Sequence, residues 1–189
     1  GLCKIAPFGY ALVSAERVHM ARRVRGWLMG AAVIVVMAGA GWQVLKQQES
    51  VAPMVSVPTL QGQTLSLAQW KGKVVLVNFW ATSCSACVKE MPELVKTFNT
   101  YHSQGLETVA IAMNYDPPEY VENFSRARQL PFTVALDREG KAAKAFGEIR
   151  LTPTTFLLDK QGKMVQRYIG IPDFNQLNQL IDSKLKERA

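Results

Sequence analysis

Two cysteines separated by two residues, Cys84 and Cys87, are the residues of this chain best suited to covalent chemistry. They stand within Val-Val-Leu-Val-Asn-Phe-Trp-Ala-Thr-Ser-Cys-Ser-Ala-Cys-Val-Lys-Glu-Met-Pro-Glu, residues Val74 to Glu93. At that spacing on one helical turn the two sulfurs can reach each other and close a disulfide. A thiolate at a helix start meets unsatisfied backbone N–H groups and the positive end of the helix dipole. Both lower a thiol's pKa, the ordinary way in which a cysteine is made redox-active.

The elements that must hold the pair are legible around it. Val74 to Phe79 is an apolar, β-branched run, as in a central strand covered on both faces. After the Thr82-Ser83 turn signal, Cys87, Val88, Met91, Leu94, Val95, Phe98 and Tyr101 fall at helical spacing, predicting a helix from near Cys84 to about Tyr101. Cys84 then lies at the helix start and Cys87 one turn inside, so Cys84 is expected to be the more exposed and more acidic. Two less reactive readings compete. A structural zinc site needs further ligands, for which the chain offers only Cys3, His19 and His102; a purely structural disulfide across so short a loop constrains the unfolded chain very little.

Further along, Leu60 to Leu67 alternates around a Gly turn and predicts a small hairpin. Glu107 to Asn114 reads as a second apolar strand, and Asp116-Pro117-Pro118 as the cap of a helix from about Glu119 to Gln129. Pro131 to Leu136 predicts a short strand, and Arg138 to Phe146 a short helix stopped by Gly147. Thr154 to Asp159 and Lys163 to Ile169 predict a hairpin turning at Gly162. A last helix runs from Asp173 to about Glu187. This order implies an α/β domain with a mixed central sheet flanked by helices.

Phe79-Trp80-Ala81-Thr82-Ser83-Cys84-Ser85-Ala86-Cys87, followed by Lys89-Glu90-Met91-Pro92, resembles the active-site strand and helix of the thioredoxin superfamily. In particular it resembles the membrane-anchored TlpA/ResA-type thiol-disulfide oxidoreductases. Leu151-Thr152-Pro153-Thr154-Thr155-Phe156-Leu157-Leu158-Asp159 resembles the family's cis-proline loop and following strand, and Gln69-Trp70-Lys71-Gly72-Lys73 the lead-in to its first central strand. The resemblance spans about Val57 to the C-terminus and implies a thioredoxin-like fold with no cofactor and no metal.

It also implies roles. Cys84 attacks a partner's disulfide, and Cys87 resolves the mixed disulfide. Pro153 faces the cysteines, and the backbone of Thr152 pairs with the substrate chain. Trp80 and Ser83 complete the expected substrate surface. Glu90, one helical turn beyond Cys87, matches a functional glutamate of the family and would accept the proton of the resolving thiol. Three departures qualify the likeness. Asn78 stands where thioredoxin has a buried aspartate, Ser83 replaces the usual Trp and opens the surface around Cys84, and Ser85-Ala86 replaces the more common Pro-containing pair. Pro92 matches a helix-kinking proline.

The net charge of +7 is uneven: residues 51–189 hold 16 Lys/Arg against 13 Asp/Glu, and residues 1–50 hold 6 against 2. No basic run with interleaved aromatics occurs in the globular part, which argues against nucleic acid as a partner. Residues 1–25 read as a basic cytoplasmic N-terminus, of which 1–19 resemble an upstream extension before a more natural start at Met20. Gly26 to Leu45 is a run of twenty uncharged residues with Trp27 and Trp42 near its ends, long enough for a membrane-spanning helix. The arginines before it and the single Lys46 close behind predict a single-pass inner-membrane anchor with the globular part outside the cytoplasm. The competing reading is a signal segment cleaved at Ala38-Gly39-Ala40; both readings export the domain. Residues 46–56 read as a linker, and 57–189 as the thioredoxin-like domain.

The expected activity is reduction of disulfides in exported proteins, in the manner of relatives that serve cytochrome c maturation and draw electrons from a membrane thiol-transfer protein. The alternatives are a disulfide oxidase or isomerase using the same residues, a peroxiredoxin-like peroxidase, and a copper-binding chaperone. The peroxidase expects Pro and Thr where this chain has Val77 and Ala81. The chaperone expects a wider cysteine spacing and a distal His, for which His102 is the candidate.

Overall fold

The computed structural model describes residues 51–188. Ser56–Pro58 (β1) pairs antiparallel with Thr64–Ser66 (β2) in a separate hairpin. The main sheet has five strands: Val74–Trp80 (β3), Leu106–Ala112 (β4), Thr133–Leu136 (β5), Thr154–Leu158 (β6) and Met164–Ile169 (β7). Their order is β5-β4-β3-β6-β7, with β3, β4 and β5 parallel and β6 and β7 antiparallel to their neighbours. Every residue of β3 is buried, as its run of apolar residues, interrupted only by Asn78, requires of a central strand. The edge strand β7 carries Gln166 and Arg167 among its apolar residues and has no fully buried residue.

The helices are Ser85–Tyr101 (α1), Pro118–Ala127 (α2), Lys141–Ala145 (α3) and Phe174–Lys186 (α4). Side chains of β3 point alternately to the two faces. Val75, Val77 and Phe79 pack with Phe146, Ile149 and Phe156 beneath α3 and the β1–β2 hairpin. On the other face Trp80 packs with Met91, Leu94 and Phe98 of α1, and Val74 and Leu76 pack with Leu177 and Ile181 of α4. Leu94 has no exposed surface. Leu94→Ala should therefore cost about 2–5 kcal/mol in a urea titration without altering the redox pair.

Three expected boundaries move. The hairpin lies earlier than the alternation of Leu60 to Leu67 suggested, and Thr59 to Gln63 make its turn, closed by Thr59 N–H on the Gln63 carbonyl. The short helix begins at Lys141 rather than Arg138, because the buried Asp137 carboxylate accepts the N–H groups of Ala142 and Ala143 and fixes the first turn there. The end of the expected linker is docked: Val51 bridges Lys163, and Ala52 donates its N–H to the Gly162 carbonyl at 2.8 Å while burying its methyl in the core.

Among the described residues no helix is long and apolar enough to cross a membrane. The apolar run Gly26 to Leu45, with Cys3 and His19, lies outside the described residues.

Candidate active site

β3 ends at Trp80 and α1 begins at Ser85, so the connection is short and Cys84 becomes the N-cap of α1, with extended backbone. Its Sγ takes the capping role and accepts the Cys87 N–H at 3.1 Å. Cys84 and Cys87 are joined as a disulfide, with Cα atoms 5.2 Å apart. Cys84 is half-buried and Cys87 fully buried. The sulfur that an incoming chain can reach is thus the one at the helix start, where a thiolate has the N–H of Cys87 and the helix dipole as partners.

The strand that follows in space is β6, antiparallel to β3. The loop entering it carries a cis peptide between Thr152 and Pro153. The Thr152 carbonyl oxygen stands 3.5 Å from Cys84 Sγ. Thr154 Oγ1 donates to the Leu151 carbonyl, and the Gly170 N–H donates to the Pro153 carbonyl at 2.8 Å, which fixes the loop from both sides. Ser83 is exposed beside Cys84. Trp80, expected at the substrate surface, is fully buried instead. It points to the helical face of the sheet and packs on the Phe124 ring of α2 with centroids 5.2 Å apart. The even register of β3 that carries Val74, Leu76 and Asn78 under the helices carries Trp80 there as well, so its contribution is to support α1 from behind.

Glu90 is only 1% exposed, although it belongs to a charged residue type. Asn78 Nδ2 donates to Glu90 Oε1 at 2.7 Å and to Thr155 Oγ1 at 2.9 Å. Glu90 Oε2 is buried with no hydrogen-bond partner among the described residues. Burial pushes the Glu90 carboxyl up from 4.5 to about 7, against the smaller lowering effect of the Asn78 hydrogen bond. A carboxyl one turn from Cys87 that titrates there can hold or take a proton under ordinary conditions.

Two site residues escaped the reading of the sequence. Asn78, seen there as the loss of a buried aspartate, is the side chain that orients Glu90; a polar residue inside an otherwise apolar central strand was the available signal, since it must find a partner. Asp116, seen there as a helix cap, does not cap α2, whose N-cap is Pro117. Its carboxylate accepts both the N–H and the hydroxyl of Thr82. His102 belongs elsewhere, at the far end of α1, with its Nδ1 on the Leu106 carbonyl and its ring stacked on Phe98.

Residues 47–181 match the redoxin family. The chain is 38% identical over 100 residues to the thiol-disulfide oxidoreductase ResA of Bacillus thuringiensis subsp. konkukian, covering 53% of this chain and 57% of that protein. It thus spans little more than half the length of that relative. It is 32% identical over 130 residues to the thioredoxin-like protein YneN of Bacillus subtilis, covering 62% of this chain and 75% of YneN. Among solved structures, a thiol:disulfide interchange protein of the thioredoxin family from Chlorobium tepidum superposes with a TM-score of 0.67 at 29% identity, over 73% of this chain and 97% of that one. A thioredoxin-like sheet, a disulfide across the start of its first long helix and a cis-proline loop facing the half-buried Cys84 sulfur agree with these likenesses, and the chain belongs to the redoxin family as a ResA-like member of the thioredoxin superfamily.

Proposed function

We propose that this protein is a thiol-disulfide oxidoreductase that reduces disulfides of exported proteins. The observation that carries the reading is the half-buried Cys84 sulfur at the start of α1, joined to buried Cys87 and facing the Thr152 carbonyl. In the reduced protein the Cys84 thiolate attacks one sulfur of the partner's disulfide, forming a mixed disulfide and expelling the partner's other thiolate. Glu90 takes the Cys87 proton; the Cys87 thiolate then attacks Cys84 Sγ, and the partner leaves as a dithiol. The pair loses two electrons and the partner gains them. Regeneration requires a reductant, and a membrane thiol-transfer protein fits that need.

The extracytoplasmic location rests on the uncharged run Gly26 to Leu45 and the arginines before it. A membrane tether would raise the local concentration of the reductant. The disulfide of an oxidised apocytochrome c is one substrate class in keeping with the ResA likeness. The direction of electron flow is tested by the equilibrium potential of the pair against a thiol buffer. A value near or below about −270 mV is expected of a reductant, whereas one near about −120 mV would overturn that direction and favour an oxidase.

A further inference from the structure

Asp116 is 5% exposed, and both of its carboxylate oxygens are committed to one residue. Oδ2 accepts the Thr82 N–H at 2.6 Å, and Oδ1 accepts the Thr82 hydroxyl. Thr82 lies in the irregular connection between β3 and α1, two residues before Cys84. Asp116 in turn is held by the prolines that follow it. Pro117 disfavours a helical backbone at the residue before it, and Pro118 occupies the first turn of α2, so the carboxylate is left free to face the sheet end rather than the helix N-terminus.

The loop from Met113 to Pro117 makes three contacts across this end of the sheet. The Met113 N–H donates to the Trp80 carbonyl at 2.9 Å, Asp116 holds Thr82, and the Tyr115 hydroxyl stands 3.3 Å from Thr152 Oγ1. It therefore touches both of the segments that face each other across the Cys84 sulfur. A thiolate gains from the Cys87 N–H and the helix N-terminus only while its own loop keeps it there, because both effects fall off within the first turn.

Resting on the exchange function proposed above, we infer that Asp116 is a positioning residue for that chemistry: by gripping Thr82 through both oxygens it fixes the loop that presents the Cys84 sulfur to the N-terminus of α1 and to the partner. Thr82 offers two donors, and a carboxylate, which only accepts, satisfies both. An asparagine can also hold them, accepting the N–H through its oxygen and donating to the hydroxyl through its nitrogen. Asp116→Asn thus keeps the grip and removes the charge, whereas Asp116→Ala removes both.

The test uses the reduced full chain and reads the Cys84 thiolate in two ways, by ultraviolet titration and by the rate of alkylation with iodoacetamide. Asp116→Ala should slow alkylation about tenfold and raise the Cys84 pKa, as expected when a hydrogen bond to a charged group is lost. Asp116→Asn and Thr82→Ser should stay near the parent protein. Thr82→Val should shift in the same direction as Asp116→Ala, and the double variant Asp116→Ala/Thr82→Val should be no worse than Asp116→Ala alone, because the two side chains act as one unit. If Asp116→Ala fails to fold, Thr82→Val against Thr82→Ser decides the question. A Cys84 titration unchanged in Thr82→Val and in every folded Asp116 variant would overturn the inference. An equal lowering of the Cys84 pKa in Asp116→Ala and Asp116→Asn would overturn it as well, by making Asp116 a remote charge. Exchange of the parent pair with glutathione disulfide is measured alongside: its absence would sink the exchange function itself, independently of the variants.

Discussion

Cys87→Ala is expected to accumulate the protein covalently joined to its partner through Cys84, because the sulfur that would release the partner is gone. The asymmetry comes from burial. Cys84 is half-buried at the N-cap and Cys87 is fully buried one turn inside, so an incoming disulfide can meet only Cys84. Once the mixed disulfide forms, Cys87 is the thiol held close to it, with Cα atoms 5.2 Å apart in the closed pair. Without Cys87, release depends on external thiols and the complex persists. Cys84→Ala should bring reduction of a protein disulfide down to the background rate and trap nothing. Non-reducing gels followed by mass spectrometry read both results. Trapping by Cys84→Ala in place of Cys87→Ala would reverse the two roles.

Glu90→Gln should have the second largest effect, on both rate and stability. The Glu90 carboxyl is raised from 4.5 to about 7 chiefly by burial. As a general base it should therefore speed resolution as pH rises through about 7, and Glu90→Gln should lose that inflection together with about a hundredfold in rate. For stability the sign follows from the raised value. Below 4.5 the folded and unfolded chains are both protonated at this position; between 4.5 and about 7 only the unfolded chain ionises, so stability falls as pH rises and levels off above about 7. The shift corresponds to about 3 kcal/mol lost across that window. Urea titrations of the oxidised protein at the two ends of the window measure it. The parent should show the fall and Glu90→Gln should lack this component. An equal slope in both would remove Glu90 as the source.

The contrast between Asn78 and Cys84 explains how much of the site could be read in advance. Cys84 and Cys87 owe their placement to local order: an apolar strand, a short turn and a helical repeat fix which cysteine caps the helix and which lies inside it. Helix α1 and the β6–β7 turn at Gly162 follow from the same local rules, and the structure agrees with them. Asn78 and Asp116 have no local partner. Asn78 meets Glu90 and Thr155, twelve and seventy-seven residues away, and Asp116 meets Thr82 thirty-four residues before it. Trp80 went inward for the same reason: the register of a strand against helices on one face cannot be chosen from the strand alone.

By itself the sequence determined the redox pair and the element order, because each is written in spacing along one stretch of chain; the proline loop and Glu90 were marked out by the likeness of their motifs to the thioredoxin superfamily. Only the tertiary structure decided that Asn78 orients Glu90, that burial lifts its carboxyl to about 7, that Asp116 grips the Cys84 loop, and that Trp80 lies behind the site. Desolvation and long-range hydrogen bonds depend on which segments the sheet order brings together, and that order is fixed by packing across the whole domain.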